Sequence, residues 1–503
     1  MSTAPASLLI RSGLLLDPEG ELDRPPRADL LVHDGRIAAI GEAAAGLAAG
    51  LADCEVLDAA HLLVMPGFVN GHYHSHDVLQ RGLFEQMPLD VWSLHSFPSF
   101  YPRRPVPEVV TRTRVGAAEC IRGGITTVQD MVTVVGPDRE HVEAIVDTYA
   151  GTGLRVCLGL QIGDRPTIDT MPFWREMLPP ALAAGYTGAL SPGAMQALVT
   201  DVLDLPTTDR ITWGLAPSTP ERCSEALLAW IRDLSEARGL RVFTHVYESR
   251  AQAVLARVRQ QIDGGSFVRL LRRAGLLGPR LTIAHGIWIT REEIDLLAQG
   301  GASLISSPVA NLKLLDGIAP VHDYLEAGVN VGLGGDNCSC SDTQNLFQAM
   351  KGFAIFLGYQ DREGREGAAR RAFRAATLGS AKALGLEGRV GCLRVGSRAD
   401  LALVDTRDGI YHPMHSAVRQ LVYAETGRNV STVIIDGRPV MRDGRLLTFD
   451  ESAVRHDADA AGAVVRQEFA ALAERHRELI AHLPPIHRRV REFELPIDRL
   501  RIG

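Results

Sequence analysis

The chain has 503 residues, of which 46% are hydrophobic and 22% charged, and this excludes a disordered, collagen-like or fibrous protein. Its 53 basic and 60 acidic residues leave a net charge of −7, which disfavours a nucleic-acid partner. No run approaches ~18 consecutive apolar residues, so no membrane partner is expected.

The first residues carry no basic stretch ahead of their apolar runs, so they read as strands rather than a signal peptide. Residues 1–65 pair short β runs with tight turns. SLLIRSGLLL precedes ADLLVHDGRIAAIGE, whose Asp34-Gly35 pair is a hairpin signal. The same style returns over 386–447, with Asp-Gly turns at 436–437 and 443–444. The expectation is one small β-sandwich built from both stretches. Between them, over 66–385, apolar runs such as FVNGHYH, GITTVQDM, RVCLGLQ, RVFTHV, LTIAHG and VNVGLGGD alternate with helical-period stretches. That alternation predicts an α/β fold, a (β/α)8 TIM-type barrel. Residues 448–503 read as a helical tail, amphipathic over AVVRQEFAALAERHRELIAHL and Arg-rich beyond, packing on the barrel or a neighbouring subunit. The seven cysteines are scattered with no CxxC, which predicts reduced thiols and a cytoplasmic location.

The chemistry concentrates at strand ends. On a strand, residues i and i+2 share a face, so His72 and His74 converge at the C-terminal end of the first barrel strand. His245, His285 and Asp336 close three later strands. Three neutral imidazoles and a carboxylate suit Zn²⁺, with Fe²⁺ the alternative; Mg²⁺ or Ca²⁺ would call for more oxygen ligands.

The order HxH, His, His, Asp on successive strands is similar to that of the amidohydrolase superfamily. PGFVNGHYHSHDVLQRG resembles its strand-one motif, THVYES its HxxE motif, and SPVANLKLLDGIAPVHDYLEAGVNVGLGGD its segment around the last ligand. These motifs resemble the branch holding cytosine and guanine deaminases, methylthioadenosine/adenosylhomocysteine deaminases and triazine hydrolases. The resemblance implies one divalent metal ion on His72, His74, His245 and Asp336. It implies Glu248 as acid/base, His285 orienting water or substrate, and Asp336 also accepting a proton. Relatives with two metals bridge them with a carboxylated lysine on the fourth strand. Only three lysines occur here, the first at Lys313, so that bridge is excluded, leaving a glutamate- or cysteine-bridged pair as the alternative to a single ion.

The activity implied is hydrolytic deamination of an aminated N-heterocycle, the alternative being amide, urea or carbamate hydrolysis or ring dechlorination at the same site. Arg81, Trp92, Gln161 and Asn337 are the expected contacts to a small heterocyclic substrate, with Trp174 a further candidate. The resemblance and the tail helix suggest a homodimer or homotetramer. Two departures stand out. Ser306 falls where many relatives carry histidine, and Asn337-Cys338 follow Asp336, where they are expected to present an amide and a thiol to the ligand. Both argue against plain nucleoside or guanine specificity.

Overall fold

A computed structural model describes residues 7–500 apart from 135, 188–191, 260–262, 362–363 and 365–366. Five strands open the chain: β1 (Ser7–Leu15), β2 (Arg27–His33), β3 (Arg36–Ile40), β4 (Cys54–Asp58) and β5 (Leu62–Pro66). The barrel strands follow as β6 (Phe68–His74), β7 (Ile125–Val132), β8 (Arg155–Ile162), β9 (Ile211–Pro217), β10 (Arg241–Val246), β11 (Leu281–His285), β12 (Ser303–Ser306), β13 (Asn330–Leu333) and β14 (Asp336–Asn337). Four more return to the first sheet: β15 (Leu401–Asp405), β16 (Val430–Ile435), β17 (Arg438–Arg442) and β18 (Arg445–Leu446).

The barrel strands run parallel in sequence order, and β14 pairs with β6 through Asp336–Tyr73 and Asn337–His74. β13 and β14 are one eighth strand broken at Gly334-Gly335, so the sheet closes on itself. The break has a steric cause: a Cβ on Gly334 would sit 2.7 Å from His72 Cβ. Side chains stitch the seam instead. Gly335 N donates to Asn70 Oδ1 at 2.9 Å, Asn70 Nδ2 to Gln344 Oε1 at 2.8 Å, and Gln344 Nε2 to Asp336 O at 2.6 Å. Inside, Val69, Met131, Cys157, Ala216, Phe243 and Ile305, one from each of six strands, pack together. The barrel is therefore filled and leaves its chemistry to the strand ends.

The terminal strands form one sheet in the order β18-β17-β16-β15-β5-β1-β2-β3, with β4 also on β1. It folds over on itself. Leu30 and Val32 share a core with Leu401, Leu403 and Ile434, and a Cβ on Gly437 would meet Gly35 Cα at 2.8 Å. Both turn pairs hold the left-handed backbone that Asp-Gly hairpins require. This sheet docks at the N-terminal end of the barrel. There Arg155, first residue of β8, grips Asp400 with two bonds of 2.8 and 3.1 Å, both side chains fully buried.

The tail helix runs Glu451–Glu492, straight through Pro484 and Pro485 and nine residues beyond the stretch whose periodicity announced it. Proline inside a helix costs about 3 kcal/mol. Burial offsets it: Leu479, Leu483, Ile486 and Val490 pack on Leu94, Ile168, Met171 and Trp174 of the barrel loops. The helix lies on its own barrel. Among the described residues no helix is long and apolar enough to cross a membrane, and all seven cysteines are free.

Candidate metal centre

His72 and His74 leave β6 on one face, as the strand period requires. His72 Nε2 lies 3.4 Å and His74 Nε2 3.7 Å from Asp336 Oδ1. His245, near the end of β10, brings its Nε2 to 3.3 Å from His74 Nε2. His285, last of β11, places Nε2 3.8 Å from Asp336 Oδ2 and 3.6 Å from Glu248 Oε1. The far side of three of these rings is tied down. His74 Nδ1 donates to Met131 O and His245 Nδ1 to Ser218 O, both at 2.7 Å, while His285 Nδ1 donates to Asn311 Oδ1 at 2.9 Å. Those acceptors fix the protons on Nδ1 and leave bare Nε2 lone pairs facing one another. Two lone pairs at 3.3 Å repel unless an electrophile lies between them. The Nε2 atoms of His72 and His285 are buried without a hydrogen-bond partner, a costly arrangement in an empty interior. The donor set therefore fits a divalent cation. His285 and Asp336 also hold left-handed backbone, φ 69° and 64°.

Charge follows geometry. Burial, helped by neighbouring imidazoles, pushes His74 far down and His245 down to about 3, so both stay neutral. Burial opposes ionisation of Asp336, but His72, His285 and His74 outweigh it and hold the carboxyl below its ordinary range. Burial likewise pulls His285 down, yet the Glu248 and Asp336 carboxylates lift it. Glu248 is pushed up to about 7, chiefly by burial. One acid is thus held ionised and one held near neutrality, a few ångströms apart.

The amidohydrolase family profile matches residues 63–440. The chain belongs to the amidohydrolase family. It is an enzyme of that superfamily. A 5'-deoxyadenosine deaminase of Methanosarcina barkeri is 30% identical over 460 residues, spanning 91% of this chain and 98% of that protein. A 5-methylthioadenosine/S-adenosylhomocysteine deaminase of Syntrophobacter fumaroxidans is 32% identical over 459 residues, 90% and 97% of the two chains. Among solved structures, an adenosine deaminase from Xanthomonas campestris with bound zinc superposes with a TM-score of 0.80 at 28% identity, covering 92% of this chain and 99% of its own.

The centre of this amidohydrolase opens into a cavity of about 330 Å³. Trp92, Gln161 and Asn337 line it. Trp92 is held by Nε1–H donating to Ser339 Oγ at 2.9 Å, and Gln161 by Nε2–H donating to Ser218 Oγ at 3.0 Å. Arg81 corrects its expectation. It does not line the cavity, because its guanidinium pairs with Glu119 and lies against Cys338 Sγ. Cys338 itself faces Arg81 and Gln344, so the short helix Cys338–Ser341 turns its thiol away from the ligand space. Trp174 packs under the tail helix instead of lining the cavity, and Ser306 is buried outside the lining.

Several lining residues carry no signal in the sequence. His76 stands beside Asn337, with Asn337 Nδ2 3.5 Å from His76 Nε2. Asp316 is buried with Oδ2 unpartnered, and burial together with Glu248 and Asp336 pushes its carboxyl well up. Arg222 forms part of the wall beside Ser218. The tail supplies His487, Val490, Arg491 and Leu500. HxH spacing points to His72 and His74 but cannot reach His76, because the chain turns into a 3₁₀ segment at Ser75.

Proposed function

We propose that this enzyme removes an amino group from an aminated nitrogen heterocycle by hydrolysis, with one divalent ion, Zn²⁺, held by His72, His74, His245 and Asp336. The observation that carries it is the convergence of bare, buried Nε2 atoms on an ionised Asp336, with a near-neutral Glu248 across from it. The similar adenosine deaminase from Xanthomonas campestris holds bound zinc, and the sequence relatives are named as deaminases of adenosine derivatives; both support the reading.

When bound, the cation supplies the Lewis acidity that makes water a competent nucleophile near neutral pH. The rest is the work of side chains. Asp336 accepts the proton released by the attacking water. His285, held by Asn311, hydrogen-bonds the attacking oxygen and keeps it in line. Glu248 protonates the ring nitrogen beside the attacked carbon and makes that carbon more electrophilic. Asp336 passes its proton to the amino group, Glu248 takes one back from the new hydroxyl, and the tetrahedral species collapses to a carbonyl with ammonia leaving. Trp92 and Phe97, packed edge to face with their planes 81° apart, provide apolar surface for a ring. We further propose a cytoplasmic homo-oligomer. Free thiols support the compartment, and light scattering reads the assembly.

The test is metal analysis of purified protein plus ammonia release against 5'-deoxyadenosine, 5-methylthioadenosine, pterins, pyrimidines and triazines. About one zinc per chain and ammonia from one ring class are expected. Iron in its place corrects the metal. Release of chloride or of an amine in place of ammonia replaces the reaction, and no retained metal with no turnover overturns the reading.

A further inference from the structure

The cavity has an acidic floor and a cationic wall. Glu248, Asp316 and Asp336 line the floor, and Arg222, Arg250, His487 and Arg491 stand on the walls and rim. Most of these cations are already engaged or face bulk solvent. Arg250 donates through Nε and Nη2 to the carbonyls of Val490, Arg491 and Phe493. His487 Nε2 donates to Asp90 Oδ2 at 2.7 Å. Arg491 is exposed at the rim.

Arg222 differs. It lies on the wall formed by the 3₁₀ turn Pro220–Arg222 after β9. Its bonds are two long ones to neutral acceptors, Nε to Arg165 O at 3.3 Å and Nη1 to Ser218 Oγ at 3.4 Å. Among the described residues no carboxylate pairs with it and its Nη2 has no acceptor. Adjacent Glu221 attracts it through space but makes no ion pair with it, and burial pushes the Glu221 carboxyl up to about 7, which weakens it as a counter-charge. The guanidinium is nevertheless held in place. It lies 5.8 Å from the Phe97 ring centre, and Gly163 leaves room beside it, where a Cβ would come within 3.8 Å of Cζ. An arginine fixed on a cavity wall with no carboxylate in ion-pair contact is half of an ion pair. Ser218 links this wall to the metal centre, because its carbonyl holds His245 and its hydroxyl accepts from Arg222.

We infer that the substrate carries a carboxylate, and that Arg222 is the residue that binds it while the ring lies over the acidic floor. This rests on the proposed deamination and narrows its substrate class. The planar fork of a single guanidinium matches a carboxylate through two parallel N–H···O bonds.

The experiment uses full-length zinc-loaded protein and two matched pairs, pterin-6-carboxylate with pterin and cytosine-5-carboxylate with cytosine. Ammonia release gives kcat/KM, and calorimetry gives Kd. A preference of about tenfold or more for the carboxylated member of at least one pair is expected. R222Q should bring that ratio near one, and R222K should keep part of it. Equal treatment of both members by the unmodified protein overturns the inference, as does R222Q weakening both members by the same factor, which would mark Arg222 as packing. Should R222Q not fold, R222K decides: a weakened preference supports the anchor and an unchanged one overturns it. Carboxylate-selective binding without ammonia release would leave the anchor standing and remove the deamination; ammonia release without that selectivity would do the reverse. No binding and no turnover of any probe overturns both.

Discussion

The floor and the rim of the cavity are built by different rules. Every floor group except Asp316 sits on or just past a barrel strand, and three of the imidazoles are fixed by a hydrogen bond from Nδ1. The rim is assembled from parts distant in sequence: the helix Leu89–Ser96, the turn at 220–222, and a tail helix that reaches Asp90 from His487. In the function proposed above, the floor carries the hydrolysis and the rim sorts substrates. Damage to the floor should therefore end chemistry, and damage to the rim should alter affinity.

Asp336→Asn breaks the floor most completely. It removes the carboxylate shared by His72, His74 and His285, and zinc content and turnover should both fall to background, by about 10⁴-fold or more in rate, read by metal analysis and ammonia assay. Glu248→Gln sharpens the contrast within the floor. Metal should stay while kcat drops about 10²–10⁴-fold. Because burial pushes the Glu248 carboxyl up to about 7, its protonated form is lost as pH rises through that range. The unmodified enzyme should lose rate above about that pH, and E248Q should lack this limb; a limb unchanged in E248Q refutes the acid role. On the rim, His487→Ala frees the tail helix from Asp90. KM should rise several-fold, about 1 kcal/mol, with zinc content unchanged. Arg81→Gln is the smallest case. It removes a part-exposed pair with Glu119, so the thermal midpoint should move by less than about 1 kcal/mol equivalent and KM should hold.

Much of the fold is legible in the sequence because strands and helices alternate with clear periods, and the Asp-Gly turns mark the returning sheet. HxH on β6 is legible for the same reason, since a period of two forces both rings to one side. His245, His285 and Asp336 each end an apolar run. The rim gives no such signal. Arg222 is one of 50 arginines, and Asp316 precedes Gly317 and so looks like an ordinary turn residue. Arg81 misleads because an arginine after a catalytic strand reads as a substrate contact, and nothing local reveals Glu119 as its partner 38 residues on. His487 and Asp90 lie 397 residues apart, beyond the reach of any periodicity. The helix outruns its sequence signal because Pro484-Pro485 normally ends a helix, and only tertiary burial keeps it going.

The left-handed backbone at His285 and Asp336 has a practical consequence. Glycine would adopt those angles freely, whereas a histidine and an aspartate hold them at about 1–3 kcal/mol each. A directed-evolution campaign that scored heat resistance alone would drift toward glycine at both positions and yield sturdier, inert proteins.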